Sequence, residues 1–145
     1  MFKRLVVLPS LAMALPIRRI NANQNSHQPS LLDIGRACRP KKPAAGGACG
    51  EDACLVTRLS DTKTLLAVAD GVGGWRKRGV DPSLFSNQLM ACLQSAAQKY
   101  VDSNPVELLK KAFWQLVDLN HQGQTSTPGS STACLAVVDS ESHNM

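Results

Sequence analysis

An abrupt stop constrains this chain more than any other feature: the apolar run Thr64-Leu65-Leu66-Ala67-Val68-Ala69 ends on Asp70-Gly71-Val72-Gly73-Gly74. The run has the apolar, β-favouring character of a strand. Three glycines in the next four positions forbid regular structure there, allow positive φ and point to a close approach of backbones. A second run, Ala53 to Leu59, precedes the first, and the polar tetrapeptide Ser60-Asp61-Thr62-Lys63 between them predicts a β-hairpin. Acids flank that hairpin, Glu51-Asp52 before its first strand and Asp70 at the end of its second. Antiparallel pairing brings these ends together, and carboxylates so gathered repel unless a cation sits among them. An all-oxygen set suits Mg²⁺ or Mn²⁺, and a glycine after the aspartate lets its own carbonyl join the coordination shell.

Two helices follow. Asp81-Pro82 reads as an N-cap with proline in the first turn, and Phe85, Leu89, Leu93, Ala96 and Tyr100 recur at helical spacing. The signal repeats at Asn104-Pro105 with Glu107 three residues after the cap, followed by a stripe of Leu108, Leu109, Ala112, Phe113, Leu116 and Val117. A polar loop, residues 121–129, leads to Thr132 to Val138, whose continuous apolar character predicts a buried strand. With 145 residues and 43% of them hydrophobic, the chain can bury one core.

The charge is uneven. Residues 1–45 hold eight Lys/Arg against the single acid Asp33, whereas residues 46–145 hold eight against ten acids. The basic excess behind the pI of about 9.1 thus belongs to the N-terminal stretch, which argues against nucleic-acid binding by the folded part. Met1-Phe2-Lys3-Arg4, the apolar stretch Leu5 to Leu15 and the pair Arg18-Arg19 have the composition of an import presequence, so residues 1–45 are expected to be a targeting leader and disordered linker, with a mitochondrial matrix destination. A secretory signal competes, with Ala12-Met13-Ala14 as its cleavage site. The eleven-residue apolar run contains Pro9 and is too short for a bilayer crossing of about 20 residues, so no transmembrane segment is expected.

The cysteines include no C-x-x-C pair and no histidine at zinc-finger spacing. Cys54, Cys92 and Cys134 fall in apolar segments, where a thiol packs as a small hydrophobe. His27, His121 and His143 are isolated polar-loop residues, Ser130 and Ser131 form no nucleophile elbow, and Trp75 and Trp114 read as core or half-buried anchors.

Gly50-Glu51-Asp52, Val68-Ala69-Asp70-Gly71-Val72-Gly73-Gly74 and Gly129-Ser130-Ser131-Thr132-Ala133 together resemble the first motifs of metal-dependent type 2C serine/threonine protein phosphatases. The longer string through Trp75, followed by Gly79-Val80-Asp81-Pro82, resembles the mitochondrial branch of that family. The resemblance covers residues 46–145 and implies an α+β fold: the N-terminal part of a β-sandwich flanked by helices, truncated here. It implies phosphomonoester hydrolysis on phosphoserine or phosphothreonine proteins by a hydroxide bound to two Mn²⁺ or Mg²⁺ ions, in a domain that is a monomer when complete. By position, Asp70 and the Gly71 carbonyl are metal ligands, Glu51 acts through a metal-bound water, and Asp52 is a supporting carboxylate.

The match has departures. Val72 stands where the common family pattern has a histidine, as it does in the resembled branch, and Gly47 stands where the family often places an arginine for the substrate phosphate. Arg76, Lys77 or Arg78 is a candidate replacement, against the plainer reading of a solvated basic turn. The later motifs that supply further metal-binding aspartates are not in this sequence, so the expected metal site is incomplete. Two readings follow: a phosphatase whose complete chain is longer, or a catalytically inactive fragment acting only as a binding module.

Overall fold

In a computed structural model of the chain, residues 3–7, 18–19, 32–40 and 49–140 are described. The chain divides into two units, Met1–Arg39 and Pro40–Met145. In the first, strand β3 (Leu32–Arg36) lies between β1 (Lys3–Val7), which it pairs in parallel from Lys3↔Leu32 to Val7↔Arg36, and the short antiparallel β2 (Arg18–Arg19). Part of the span expected to be a linker is therefore a strand. The rest of the expected leader, including Ala12-Met13-Ala14 and the second half of the apolar run, lies outside the described residues.

The second unit carries the predicted hairpin. Strands β4 (Asp52–Arg58) and β5 (Lys63–Asp70) pair antiparallel, and β6 (Cys134–Asp139) adds to the other side of β5, giving the order β4-β5-β6. The tetrapeptide turn is fixed by Ser60, whose Oγ accepts from the Thr62 and Lys63 amides. Helices α1 (Pro82–Lys99) and α2 (Pro105–His121) pack on each other and against one face of the sheet. Mixed helix and antiparallel sheet is the α+β arrangement expected.

Both caps form as read. Asp81 accepts from the Ser83 amide at 3.0 Å and Asn104 from the Glu107 amide at 3.0 Å, each satisfying a donor that the first helical turn leaves unpaired. Asn104→Ala is expected to cost about 1 kcal/mol, read as a lower urea midpoint. The Asp81 carboxyl lies below its ordinary value of 3.8, chiefly through the hydrogen bond from the Ser83 backbone amide, with smaller help from the Ser83 side chain and Arg76. A lowered folded-state pKa means that this stabilisation is present above the unfolded value and is lost as pH falls below about 3.8 through the folded one. Asp81→Asn should flatten that part of an acid-unfolding curve.

The core is built from alternate residues of the sheet and one stripe of each helix. Ala53, Leu55, Leu65, Ala67 and Ala69 meet Leu89, Leu93 and Ala96 of α1, with Leu108, Ala112 and Leu116 of α2 completing the cluster. Register then places Asp52, Cys54, Val68 and Asp70 on the opposite sheet face. Cys92 is buried, its thiol pushed up by desolvation; Cys54 is half-buried and Cys134 exposed. Strand β6 is less buried than its apolar run suggests: Leu135 and Val137 pack on the core, while Cys134 and Ala136 alternate outward. On α2 the stripe is narrower than expected, with Phe113 at 43% exposure; Trp114, expected as a core or half-buried anchor, is 62% exposed, and the two rings meet edge to face.

Candidate functional site

The hairpin end is closed by backbone contacts that leave no room for side chains. The Gly71 amide donates to the Glu51 carbonyl at 3.0 Å, and that carbonyl also accepts from the Ser86 hydroxyl at 2.7 Å, tying the start of β4 to α1. Ser86 is fully buried. A Cβ on Gly71 would press into the Pro82 carbonyl oxygen and stand 2.7 Å from the Glu51 carbonyl oxygen; one on Gly73 would stand 3.0 Å from the Glu51 carboxylate. The close approach expected of these glycines is real. The positive φ that they allow is not used: Gly50, Gly79, Gly123 and Gly129 have it, whereas Gly71, Gly73 and Gly74 do not.

The segment expected to lack regular structure forms a 3-10 turn over Gly73–Arg78, ended by Gly79 in the left-handed conformation (φ 74°), whose amide donates back to the Arg76 carbonyl. Its geometry is held from across the chain. The Val72 amide donates to the Ser130 carbonyl at 2.9 Å, the Trp75 indole N–H to Ser130 Oγ at 2.9 Å, and the Asp70 amide to Thr132 Oγ1 at 3.2 Å, while the Thr132 amide returns a bond to the Asp70 carbonyl at 2.9 Å. The two sequence motifs that contain Asp70 and Thr132 are thus zipped together, with Gly71 and Ser131 as a bridge pair.

Of the predicted site residues, all four gather at this end. Asp52 and Asp70 are direct cross-strand partners, so both carboxylates belong to one sheet face; like charges placed opposite each other are unfavourable without a compensating cation. Glu51 lies one residue before, its backbone bonded to Gly71 and its carboxylate against Gly73. The three carboxylates do not converge on one point: among the described residues their oxygens do not all lie within 4.8 Å of one another. Glu51 instead accepts from Arg76 Nε at 2.6 Å. The donor set at this end is oxygen only and fits a hard divalent cation in chemistry, with Asp52 and Asp70 the two carboxylates that the register sets opposite each other.

Residue-by-residue reading of the sequence missed the partners that shape this site: Ser86, Ser130, Thr132 and the Arg76–Glu51 contact. The Gly129-Ser130-Ser131-Thr132 motif carried a signal for two of them. Nothing local in the sequence marks Ser86 as the hydroxyl that caps the Glu51 carbonyl, or Arg76 as the basic residue that reaches Glu51.

No family model matches the chain. It is similar to the protein phosphatase PTC7 homolog of Danio rerio, at 43% identity over 102 residues, 68% of this chain and 33% of that protein. It is similar also to the human protein phosphatase PTC7 homolog, at 44% identity over 102 residues, 68% of this chain and 32% of that protein. The protein phosphatase PTC7 homolog fig of Drosophila erecta is 36% identical over 123 residues, 81% of this chain and 37% of that protein. The chain spans about a third of the length of the curated relatives it matches. Among solved structures, the X-ray structure of the photosystem II phosphatase PBCP aligns with a TM-score of 0.46 and 38% identity over 60% of this chain and 30% of that one.

Proposed function

The chain belongs to the type 2C family of protein phosphatases, and from that premise we propose that it supplies the first carboxylates of a divalent-cation site that hydrolyses phosphoserine or phosphothreonine in proteins. The observation that carries this reading is the cross-strand pair Asp52–Asp70 at a hairpin end closed by Gly71. Mn²⁺ or Mg²⁺ ions bound there would supply Lewis-acid charge and a water of lowered pKa.

The chain's own residues do the positioning. Asp70 is held by both its amide and its carbonyl to Thr132, which fixes where the carboxylate leaves the sheet. Glu51 is fixed at its carbonyl by Gly71 and Ser86, so its side chain starts from a rigid point beside the pair. Oxygen ligands set on strand ends rather than on a mobile loop keep their spacing when a phosphoryl group arrives. The valine at position 72, 43% exposed, offers no proton, so the leaving serine or threonine oxygen must take its proton from solvent or from another group.

No helix among the described residues is long and apolar enough to cross a membrane. The basic, acid-poor composition of residues 1–45 supports delivery to the mitochondrial matrix. Residues 46–145 are proposed as the first part of the phosphatase domain, residues 1–45 as its leader and linker.

Hydrolysis of a phosphothreonine peptide by the 145-residue chain in Mn²⁺ is the test. Activity that disappears with Asp70→Asn supports the reading. Activity that survives Asp70→Asn contradicts it. A folded chain that binds Mn²⁺ but does not turn over places these residues in a site that further segments complete.

A further inference from the structure

We infer that Arg76 is the residue that receives the phosphoryl group at this site, a role that rests on the phosphatase reading above. The sequence offers three adjacent cations, Arg76, Lys77 and Arg78, and the structure separates them. Arg78 is spent on Trp75, its guanidinium carbon 5.2 Å from the ring centroid. Lys77 is exposed on the turn, a compact point charge without a fork. Arg76 alone turns to the carboxylates, its Nε donating to Glu51 Oε1 at 2.6 Å.

That one contact orients the whole group. A guanidinium is planar, so a bond at Nε fixes the plane in which the two Nη groups lie, and those two form the fork that matches two oxygens of a phosphate. Among the described residues neither Nη group makes a hydrogen bond, and half of the side chain is open to solvent. The turn beneath it is not a loose loop: the Trp75 indole is bonded to Ser130, the Val72 amide to the Ser130 carbonyl, and Gly79 closes the last turn. As a stabilising ion pair the contact counts for little, since exposed pairs contribute about 0–1 kcal/mol. Its consequence is placement: a fork of free donors held at the Glu51 carboxylate, one residue before the Asp52–Asp70 pair in the chain, where position 47 is glycine.

The test is binding of a phosphoserine peptide to the full chain, followed by ³¹P and ¹⁵N NMR in Mg²⁺, for the wild type, Arg76→Ala, Arg76→Lys and Arg78→Ala, each checked for native helicity. Losing a charged two-point contact should weaken binding about tenfold or more for Arg76→Ala. Arg76→Lys keeps the charge, loses the fork and should recover only part of that loss, while Arg78→Ala should stay within about twofold of the wild type. Absence of measurable binding by the wild type, equal losses for Arg76→Ala and Arg78→Ala, or full rescue by lysine would overturn the assignment. Mn²⁺ uptake by the same samples separates the two ideas. Uptake that needs Asp70 but not Arg76 keeps the metal reading alive even if the phosphate assignment fails, and uptake indifferent to Asp70 removes the metal reading itself.

Discussion

Gly71→Ala is expected to destabilise the second unit by about 3 kcal/mol and to abolish cation binding with it. The added methyl would meet the Pro82 carbonyl oxygen at less than a tolerable distance and the Glu51 carbonyl oxygen at 2.7 Å. Both are backbone atoms, so relief requires moving either the first turn of α1 or the start of β4. Moving β4 breaks the Gly71–Glu51 bond at 3.0 Å and leaves the carbonyl that Ser86 also serves with one donor fewer. The backbone at Gly71 is not in the left-handed region, so the effect is one of space and not of φ. A urea titration followed by circular dichroism reads the loss as a lower midpoint at unchanged slope. Gly74→Ala is the control: the nearest atom to its Cβ would be a Val72 methyl at 3.9 Å, ordinary contact, and its midpoint should stay within about 0.5 kcal/mol of the wild type's.

Leu93→Ala should cost about 2 to 5 kcal/mol. Leu93 is fully buried in the core cluster, and Leu65, Leu108 and Leu116, among the largest fully buried side chains, belong to the same cluster. Removing most of its side chain forfeits the transfer free energy and leaves a cavity whose walls belong to three elements at once and cannot all collapse inward. The comparison is Val106→Ala in α2, a residue 62% exposed, which should change stability by no more than about 0.5 kcal/mol. Because the whole stability of a domain this size is about 5–15 kcal/mol, Leu93→Ala should lower the thermal midpoint by several degrees or leave the unit partly unfolded.

How much of this was legible in the sequence depended on the range of the interaction. Local signals held: the hairpin turn over Ser60–Lys63, the caps Asp81 and Asn104, and the prolines after them lie within one residue of where the structure starts its elements. The meeting of the hairpin's two ends held too, since antiparallel pairing brings Glu51-Asp52 beside Asp70; the register that sets Asp52 opposite Asp70 is one residue off what a four-residue turn over Ser60–Lys63 gives. The 3-10 turn was not legible, because glycine-rich sequence argues against it and the bonds that hold it come from Ser130, 55 residues beyond Trp75. Arg76 looked like one member of a solvated basic run for the same reason: its contact with Glu51 joins residues 25 apart and exists only after the hairpin end has folded beside the turn. Amphipathic spacing overestimated the buried face of α2, placing Phe113 with Leu116 although only the latter is enclosed. In the N-terminal unit, composition suggested a leader and a linker but gave no sign that Leu32–Arg36 would pair with Lys3–Val7.

The most direct test of the account is the binding of Mn²⁺ to the full chain, followed by electron paramagnetic resonance as the free-ion signal disappears, for the wild type and for Asp70→Asn. The arrangement of Asp52 opposite Asp70 predicts saturable uptake by the wild type and its loss in Asp70→Asn, with Mg²⁺ competing for the same site. Equal uptake by both chains, or none by a wild type whose helices are intact, would contradict the assignment of this hairpin end as a cation site.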